Sequence, residues 1–284
     1  GTTARQRGQS QVRLRAVVIA TAITARLYRH RWPLPDGRSQ QLLTLDPGSS
    51  LDWRGATLTA LPAAHILGAA QLLIQFQGQR LVYTGDIKHR APICGWPTES
   101  VPCDRLIIES TFGLPIYQFL DAAEARQRIA AFARECLDSG QTPVFQGYGL
   151  GRGQEIAHSL ALVGIPCRIH HAIKSLIPYF ESEGYSFPEE GDGAVIVTPG
   201  LEEKLPGPAS RRKVALVSGW ASLDNARARS NADVLIPYSD HADFAELLAL
   251  IEASRPSRID LVHGYAEPFA RILRQRGWQA GAQA

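Results

Sequence analysis

The 284-residue sequence predicts a mixed α/β protein, and three observations carry that prediction. Residues 42 to 84 hold short β-rich runs divided by glycine and proline turns. Residues 122 to 237 alternate strands with helices at the spacing of parallel βαβ units, and the stretch from 243 to 276 reads helix, strand, helix. The order suggests an α/β unit following a β-rich one, with a last βα unit that returns to the first sheet. No internal repeat is visible.

The first 20 residues are basic and rich in Gln and Ser (Arg5, Arg7, Arg13, Arg15) before the apolar run Ala16 to Ala20, and are expected to pack poorly. Methionine is absent, even at position 1, which suggests a fragment or a processed start. A short helix is expected over Thr24 to Arg31, then strands and hairpins over Leu42 to Leu61 around Asp46-Pro47-Gly48 and Arg54-Gly55. Gln71 to Phe76 and Arg80 to Thr84 form a hairpin about Gln77-Gly78-Gln79, and Leu106 to Ile108 is another strand. The alternating region predicts helix 122–137, strand 142–146, helix 153–162, strand 165–169, helix 172–183 and strands 194–197, 214–217 and 234–236. A helix over 243–253, a strand over 259–262 and a helix over 268–276 complete the pattern.

Bulk properties bound the function. A hydrophobic content of 45% supports a sizeable core in one large domain or two smaller ones. Net charge +3 with 20% charged residues permits a polyanionic substrate but is too mild for a nucleic-acid-coating tail. Cys94, Cys103, Cys136 and Cys167 show no CxxC spacing, and neither a secretory signal nor a run of 18 apolar residues is present. The expectation is a reduced, cytoplasmic protein without a membrane span. Cys94 and Cys103 are candidates for a metal pair, but their proline neighbours and missing partners favour small-hydrophobe roles.

Metal-competent residues recur where apolar strands end: His65, Asp86 in Thr84-Gly-Asp, Glu109 in Glu-Ser-Thr111, His241 in Ser239-Asp-His-Ala-Asp243, and His263 before Gly264. Loops at the carboxyl ends of strands converge, so these five form a candidate site. Imidazole and carboxylate together suit zinc-like cations, and the chemistry implied is metal-assisted hydrolysis. Singly, each residue has an ordinary role open to it. Asp86 suits a turn or cap, His65 and His263 suit hydrogen-bonded histidines, Glu109 a solvated carboxylate and His241 a helix N-terminus. Gly147 to Gly153 follows a strand and opens a helix, so its amides and Arg152 suit a phosphate, with turn and packing glycines as the alternative.

The ordered series His65, Thr84-Gly-Asp86, Glu109-Ser-Thr111, Ser239-Asp-His-Ala-Asp243 and His263-Gly264 resembles the later motifs of the β-CASP nucleases. Gly147-Tyr-Gly-Leu-Gly-Arg-Gly-Gln-Glu155 and Val217-Ser-Gly-Trp220 resemble most a bacterial group of ligase-associated DNA exonucleases and mRNA 3′-end processing factor-like proteins. The resemblance covers about residues 55 to 265 and implies a metallo-β-lactamase αββα sandwich, N-terminally incomplete, with an inserted β-CASP α/β cap. The sandwich would take residues 1–121 and 238–284 and the cap 122–237. It implies two zinc ions, with His65 on one, Asp86 bridging both and His263 on the second. Glu109 would orient a histidine near the leaving group, and His241 would be the general acid. Gly149, Gly151, Arg152, Gly153 and Ser218 would hold substrate phosphate.

The implied function is a nuclease, more an exonuclease than an endonuclease, acting on DNA or RNA in DNA repair or RNA 3′-end processing, with a link to a DNA ligase. The family's His-x-His-x-Asp-His motif does not occur here; the first histidine is His30. A truncated or frame-shifted gene model, a natural fragment and an inactive relative all account for that, and retention of the five site residues favours the first. Weak or absent zinc binding and impaired activity are therefore expected of this chain. The alternative is a non-catalytic nucleic-acid-binding or scaffold subunit using Arg152 and the basic run Arg211-Arg212-Lys213.

Overall fold

The computed structural model describes residues 17–32, 42–201, 205, 208–223 and 225–283. The basic residues Arg5, Arg7, Arg13 and Arg15 of the opening lie outside the described residues. In chain order the elements begin with strand β1 (Val18–Ala20), helix α1 (Ala22–Arg31) and strands β2 (Leu42–Thr44), β3 (Ser50–Trp53), β4 (Ala56–Pro62), β5 (Ala70–Phe76), β6 (Gln79–Tyr83) and β7 (Arg105–Glu109). There follow α2 (Ala122–Asp138), β8 (Thr142–Gln146), α3 (Arg152–Ala161), β9 (Cys167–Ile169), α4 (His171–Lys174), α5 (Ile177–Glu181), β10 (Ala194–Val197), β11 (Arg212–Val217), α6 (Ala226–Ser230) and β12 (Val234–Ile236). Helix α7 (Phe244–Ser254), β13 (Arg258–Val262), α8 (Ala266–Gln275) and β14 (Ala280–Ala282) complete the series.

A seven-stranded sheet runs β14-β13-β7-β6-β5-β4-β3, antiparallel from β3 to β6 and parallel from β6 to β14. Alternation puts its two faces to different uses. On β5, Leu73 packs with Val82, Leu106, Ile108 and the inner sides of α7 and α8, while Leu72 and Ile74 turn to a smaller cluster with Leu45 and Leu58. The parallel register pairs Tyr83 with Ile107 and Glu109 with Val262, so β6, β7 and β13 end along one edge. Asp86, Glu109 and His263 therefore follow the same edge of the sheet.

A second, all-parallel sheet of order β12-β11-β8-β10-β9 draws its strands from residues 142–236. Its core is built from Ile129, Phe132 and Ala133 of α2, Ile156 and Leu160 of α3, and Phe145 and Ile196 of the sheet. Ile23 and Leu27 of α1 and Leu67 belong to the same cluster, so apolar packing is continuous with the segment bearing His65. Helix α2 opens on a reciprocal cap in which Asp121 accepts from the Glu124 amide and Glu124 from the Asp121 amide.

Several sequence expectations are corrected here. The helix expected over 172–183 is two short helices, because Pro178 in the first turn of α5 has no N–H for the carbonyl a continuous helix would present. The strand expected from Ile165 begins at Cys167, after Pro166, which cannot donate to a ladder. The hairpin turn is the two residues Gln77 and Gly78, both at positive φ (49° and 78°), with Gln79 already paired to Phe76. Strands β1 and β14 and helix α6 escaped prediction; each is only 3 to 5 residues long. All four cysteines are buried as free thiols, and burial raises Cys103 to about 11 and Cys167 to about 12. None belongs to a group of three or more potential metal ligands among the described residues.

Asp260 of β13 is fully buried, and its carboxylate accepts from Arg105, from Arg258 at 3.2 Å and from Gln283 at 2.6 Å. Burial works to raise its pKa, but these donors hold it below the ordinary value. A depressed carboxylate pKa gives stability that is present above the unfolded value and lost as pH falls through the folded one. Asp260→Asn should cost about 1.5–3 kcal/mol at neutral pH, with the difference from wild type shrinking below about pH 4; denaturant unfolding across that range measures it.

Candidate functional site

The loop after β4 carries His65, and α1 holds that loop in place. Thr21 and Thr24 both donate their hydroxyls to the Gly68 carbonyl, at 2.7 and 2.8 Å. Gly68 has φ +87°, and a Cβ there would lie 2.6 Å from Ile23 Cγ2, so only glycine permits this approach of helix and loop. A comparable constraint applies to Gly264, where a Cβ would lie 2.4 Å from the Ser110 carbonyl oxygen. The turn bearing His263 is thus pressed against the exit of β7.

Four of the five predicted residues meet. His65 Nδ1 lies 3.1 Å from the Asp240 carbonyl, which can only accept; Nδ1 therefore carries a proton, and Nε2 is the nitrogen open to a metal ion. That Nε2 faces Asp86 Oδ2 at 3.7 Å. The rings of His65 and His241 pack edge to face with centroids 4.5 Å apart. His241 Nδ1 lies 2.7 Å from Glu109 Oε1, which also accepts from the Ile87 amide at 2.8 Å. Two groups of metal-competent ligand atoms result, each within 4.8 Å: His65, Asp240 and His241, and Asp86, Glu109 and His241. Neither contains His263, which has φ 60° and gives its carbonyl to the Ser110 hydroxyl at 2.5 Å.

Electrostatics divide the work within this cluster. Burial alone would lower His241, but the hydrogen bond and charge of Glu109, with Asp240 and Asp86, raise its pKa to about 9. Glu109 itself is held low against its burial, chiefly by His241. The pair is an imidazolium and a carboxylate at neutral pH, with Nε2–H of His241 left to donate.

Behind the cluster lies a layer that sequence reasoning missed. The Tyr238 ring carries Lys88 Nζ on its face at 3.8 Å and the Arg152 guanidinium at 4.2 Å. Arg152 pairs with Glu155 and lies 3.4 Å from Asp240 Oδ1. Glu155 Oε1 also accepts from the Ile93 amide at 3.0 Å, and Lys88 donates to the Ser239 carbonyl at 2.7 Å. Asp240 stands inside the Ser-Asp-His motif and Glu155 closes the glycine-rich motif that begins at Gly147, which were the available signals; Lys88 and Tyr238 stand outside those motifs.

This layer revises the phosphate loop. Arg152 is 1% exposed and its charge is directed at Glu155 and Asp240, so it positions the cluster instead of meeting a ligand. The Gly151 amide donates to Gln154 Oε1 at 2.8 Å, the Gly153 amide to the Tyr148 carbonyl at 2.9 Å, and the Gly149 carbonyl accepts from Gln154. Those groups are already satisfied. Ser218, by contrast, lines a cavity of about 260 Å³ together with His65, Thr111, Tyr148, Trp220 and His241.

A cavity lined by two histidines and Asp240, with Asp86 and Glu109 set against those histidines at parallel strand ends, defines a metal-dependent hydrolase type of site. Residues 232–281, which include His241 and His263, match the family of Zn-dependent metallo-hydrolase RNA specificity domains. The chain is similar to a probable DNA ligase of Opitutus terrae, 34% identical over 286 residues that cover 93% of this chain and 27% of that protein. It is also similar to the endoribonuclease YSH1 of Eremothecium gossypii (24% identical; 81% of this chain, 39% of that one). A third relative is the cleavage and polyadenylation specificity factor subunit 3 of Dictyostelium discoideum (24% identical; 78% of this chain, 37% of that one). The chain thus spans well under half the length of these relatives. The matched domain and these relatives together support the metallo-β-lactamase/β-CASP nuclease family for it. No helix among the described residues is long and apolar enough to cross a membrane.

The Glu109–His241 pair has a measurable signature. A histidine raised above its usual value contributes stability that is complete below the unfolded pKa near 6.5 and is lost as pH rises through about 9. In an NMR titration His241 should titrate near 9, and Glu109→Gln should bring it down, because burial is then opposed only by Asp240 and Asp86. An unchanged His241 titration in that variant would exclude Glu109 as the cause.

Proposed function

We propose that this chain is the body of a zinc-dependent nuclease that hydrolyses phosphodiester bonds at an end of single-stranded DNA or RNA. The observation that carries this reading is the pairing of His65 Nε2, which faces Asp86, against a His241 kept protonated by Glu109, with both imidazoles on one cavity. Residues 122–237 would act as the cap over the strand, and residues 1–121 with 238–284 as the hydrolase body. A relative named as a DNA ligase supports a role beside strand joining in repair, whereas relatives named as endoribonucleases support RNA processing.

The donor chemistry fits a zinc-type cation, since nitrogen and carboxylate oxygen face each other at the cavity wall. His65 and Asp86 would hold it, and bound there it would supply Lewis-acid polarisation of a phosphoryl oxygen. His241 donates its Nε2 proton to the departing oxygen, because Nδ1 is engaged by Glu109. Asp240, held by Arg152 and by its backbone contact to His65, fixes the distance between the two imidazoles. His263 is the proposed ligand for a second ion, approached from the turn at Gly264. The five side chains of the two groups share His241, so a full pair of four-donor shells requires ligands beyond them.

Metal analysis and cleavage of end-labelled and circular single strands test this reading. Zinc affinity should fall about tenfold or more in His65→Ala and Asp86→Ala, and His241→Ala should slow cleavage about 10²–10⁴-fold with metal retained. Cleavage of labelled ends with circles spared identifies an exonuclease. Salt-sensitive strand binding that ignores chelators, with no cleavage at any zinc concentration, would instead identify a non-catalytic binding subunit.

A further inference from the structure

A second cavity, of about 350 Å³, opens beside the one that holds His65 and His241, and the two share Tyr148, Ser218 and Trp220 as a common wall. It lies at the carboxyl ends of β8, β10 and β11, where Gly147, Pro199 and Ser218 leave the parallel sheet. Ligands bind at that edge of such sheets because the loops diverge there and leave a crevice.

Its chemistry is selective. Tyr148 and Trp220 are large aromatic side chains left 51% and 39% exposed, and both border this one cavity. Among the described residues that line it, Arg229 is the one charged side chain and none is a carboxylate. An aromatic surface beside a cation suits a planar heterocycle attached to a phosphate chain, and base stacking on aromatic rings is the usual means of holding a single strand without reading its sequence. The cavity exceeds the bulk of one base and leaves room for its sugar.

Trp220 is also fixed relative to the catalytic groups. Its ring packs against Phe112 at 4.9 Å, and Phe112 packs edge to face against His241 at 5.9 Å. Tyr117 meets the same indole edge to face at 6.0 Å, and the Trp220 amide donates to Ser218 Oγ at 3.3 Å. From below, Gln146 donates to the Ser230 carbonyl at 3.1 Å and ties the end of β8 to the last turn of α6. A base stacked on Trp220 would therefore stand at a set distance from His241.

We propose that this cavity seats one nucleobase of the bound strand, stacked against Trp220 and Tyr148, beside the nucleotide whose phosphate faces His65 and His241. The proposal rests on the nucleic-acid reading above. It gives the cavity a positioning role, since a seated base sets how many nucleotides away the reacting phosphate falls.

The test is binding of short single-stranded oligonucleotides in the presence of chelator, followed by fluorescence anisotropy, with an abasic residue walked along the strand. One position should stand out, where loss of the base weakens binding about tenfold. Tyr148→Ala and Trp220→Ala should bind the intact strand about tenfold more weakly and lose nothing further with that abasic strand. Trp220→Phe, which keeps a ring against Phe112, should retain most of the affinity and guards against a folding defect. Salt-sensitive binding that is indifferent to abasic substitution at every position overturns the proposal while leaving the nucleic-acid reading intact. Tyr148-dependent binding of a free nucleoside monophosphate with the same indifference in strands assigns the cavity to a free nucleotide and also overturns it. Absence of salt-sensitive binding to any strand removes both.

Discussion

A guanidinium buried to 1% exposure must be compensated within the protein, and the compensation of Arg152 ties the parts of the site together. Its partners are Glu155 on its own helix, the ring of Tyr238, and Asp240 in the segment that delivers His241. Glu155 in turn accepts amides from the loop at Ile93 and Cys94. Three stretches distant in sequence are thus fixed by one charge. The five-stranded unit and the loops of the seven-stranded sheet meet at this buried charge, and displacement of Glu155 or Asp240 would remove one of its counter-ions. The apolar core that runs from α2 and α3 to Ile23, Leu27 and Leu67 supplies the bulk of the packing there; the ion cluster specifies its geometry.

Upon that frame the site is assembled from two kinds of precision. Parallel register aligns the exits of β6, β7 and β13, which brings Asp86 and Glu109 along one edge without any side chain having to arrange it. Close approaches then set the remaining distances: α1 against Gly68 places the His65 loop, and the Asp240 carbonyl fixes which nitrogen of His65 faces outward. The protonation states follow from the same geometry, since Glu109 is near enough to His241 to outweigh the cost of burying its charge.

Much of this was legible in the sequence. Strands β8, β10 and β12 fall where their β-branched runs predicted, and α2 runs one residue beyond its predicted end, because periodicity is a local signal. Four residues singled out by their position at strand ends lie together in the structure. What was not legible depends on contacts across the fold. Arg152 reads as a phosphate ligand in a glycine-rich turn, yet its destination is decided by Glu155, Tyr238 and Asp240, two of which lie more than 80 residues away. His263 stands at a predicted strand end, but its backbone conformation at positive φ carries it into neither donor group. The break between α4 and α5 is signalled by Pro178, although the apolar pattern that suggests one helix continues across it.

The four buried thiols have a consequence for the chemistry the protein withstands. Methionine is absent from the whole sequence, and each described cysteine is both shielded from solvent and pushed by burial towards its neutral form. Sulfur oxidation begins with an accessible thiolate or thioether, and the folded chain presents neither. An oxidant or alkylating reagent can therefore reach sulfur here only through transient opening of the core, so the rate of thiol modification would count excursions from the native state and leave the native state itself untouched.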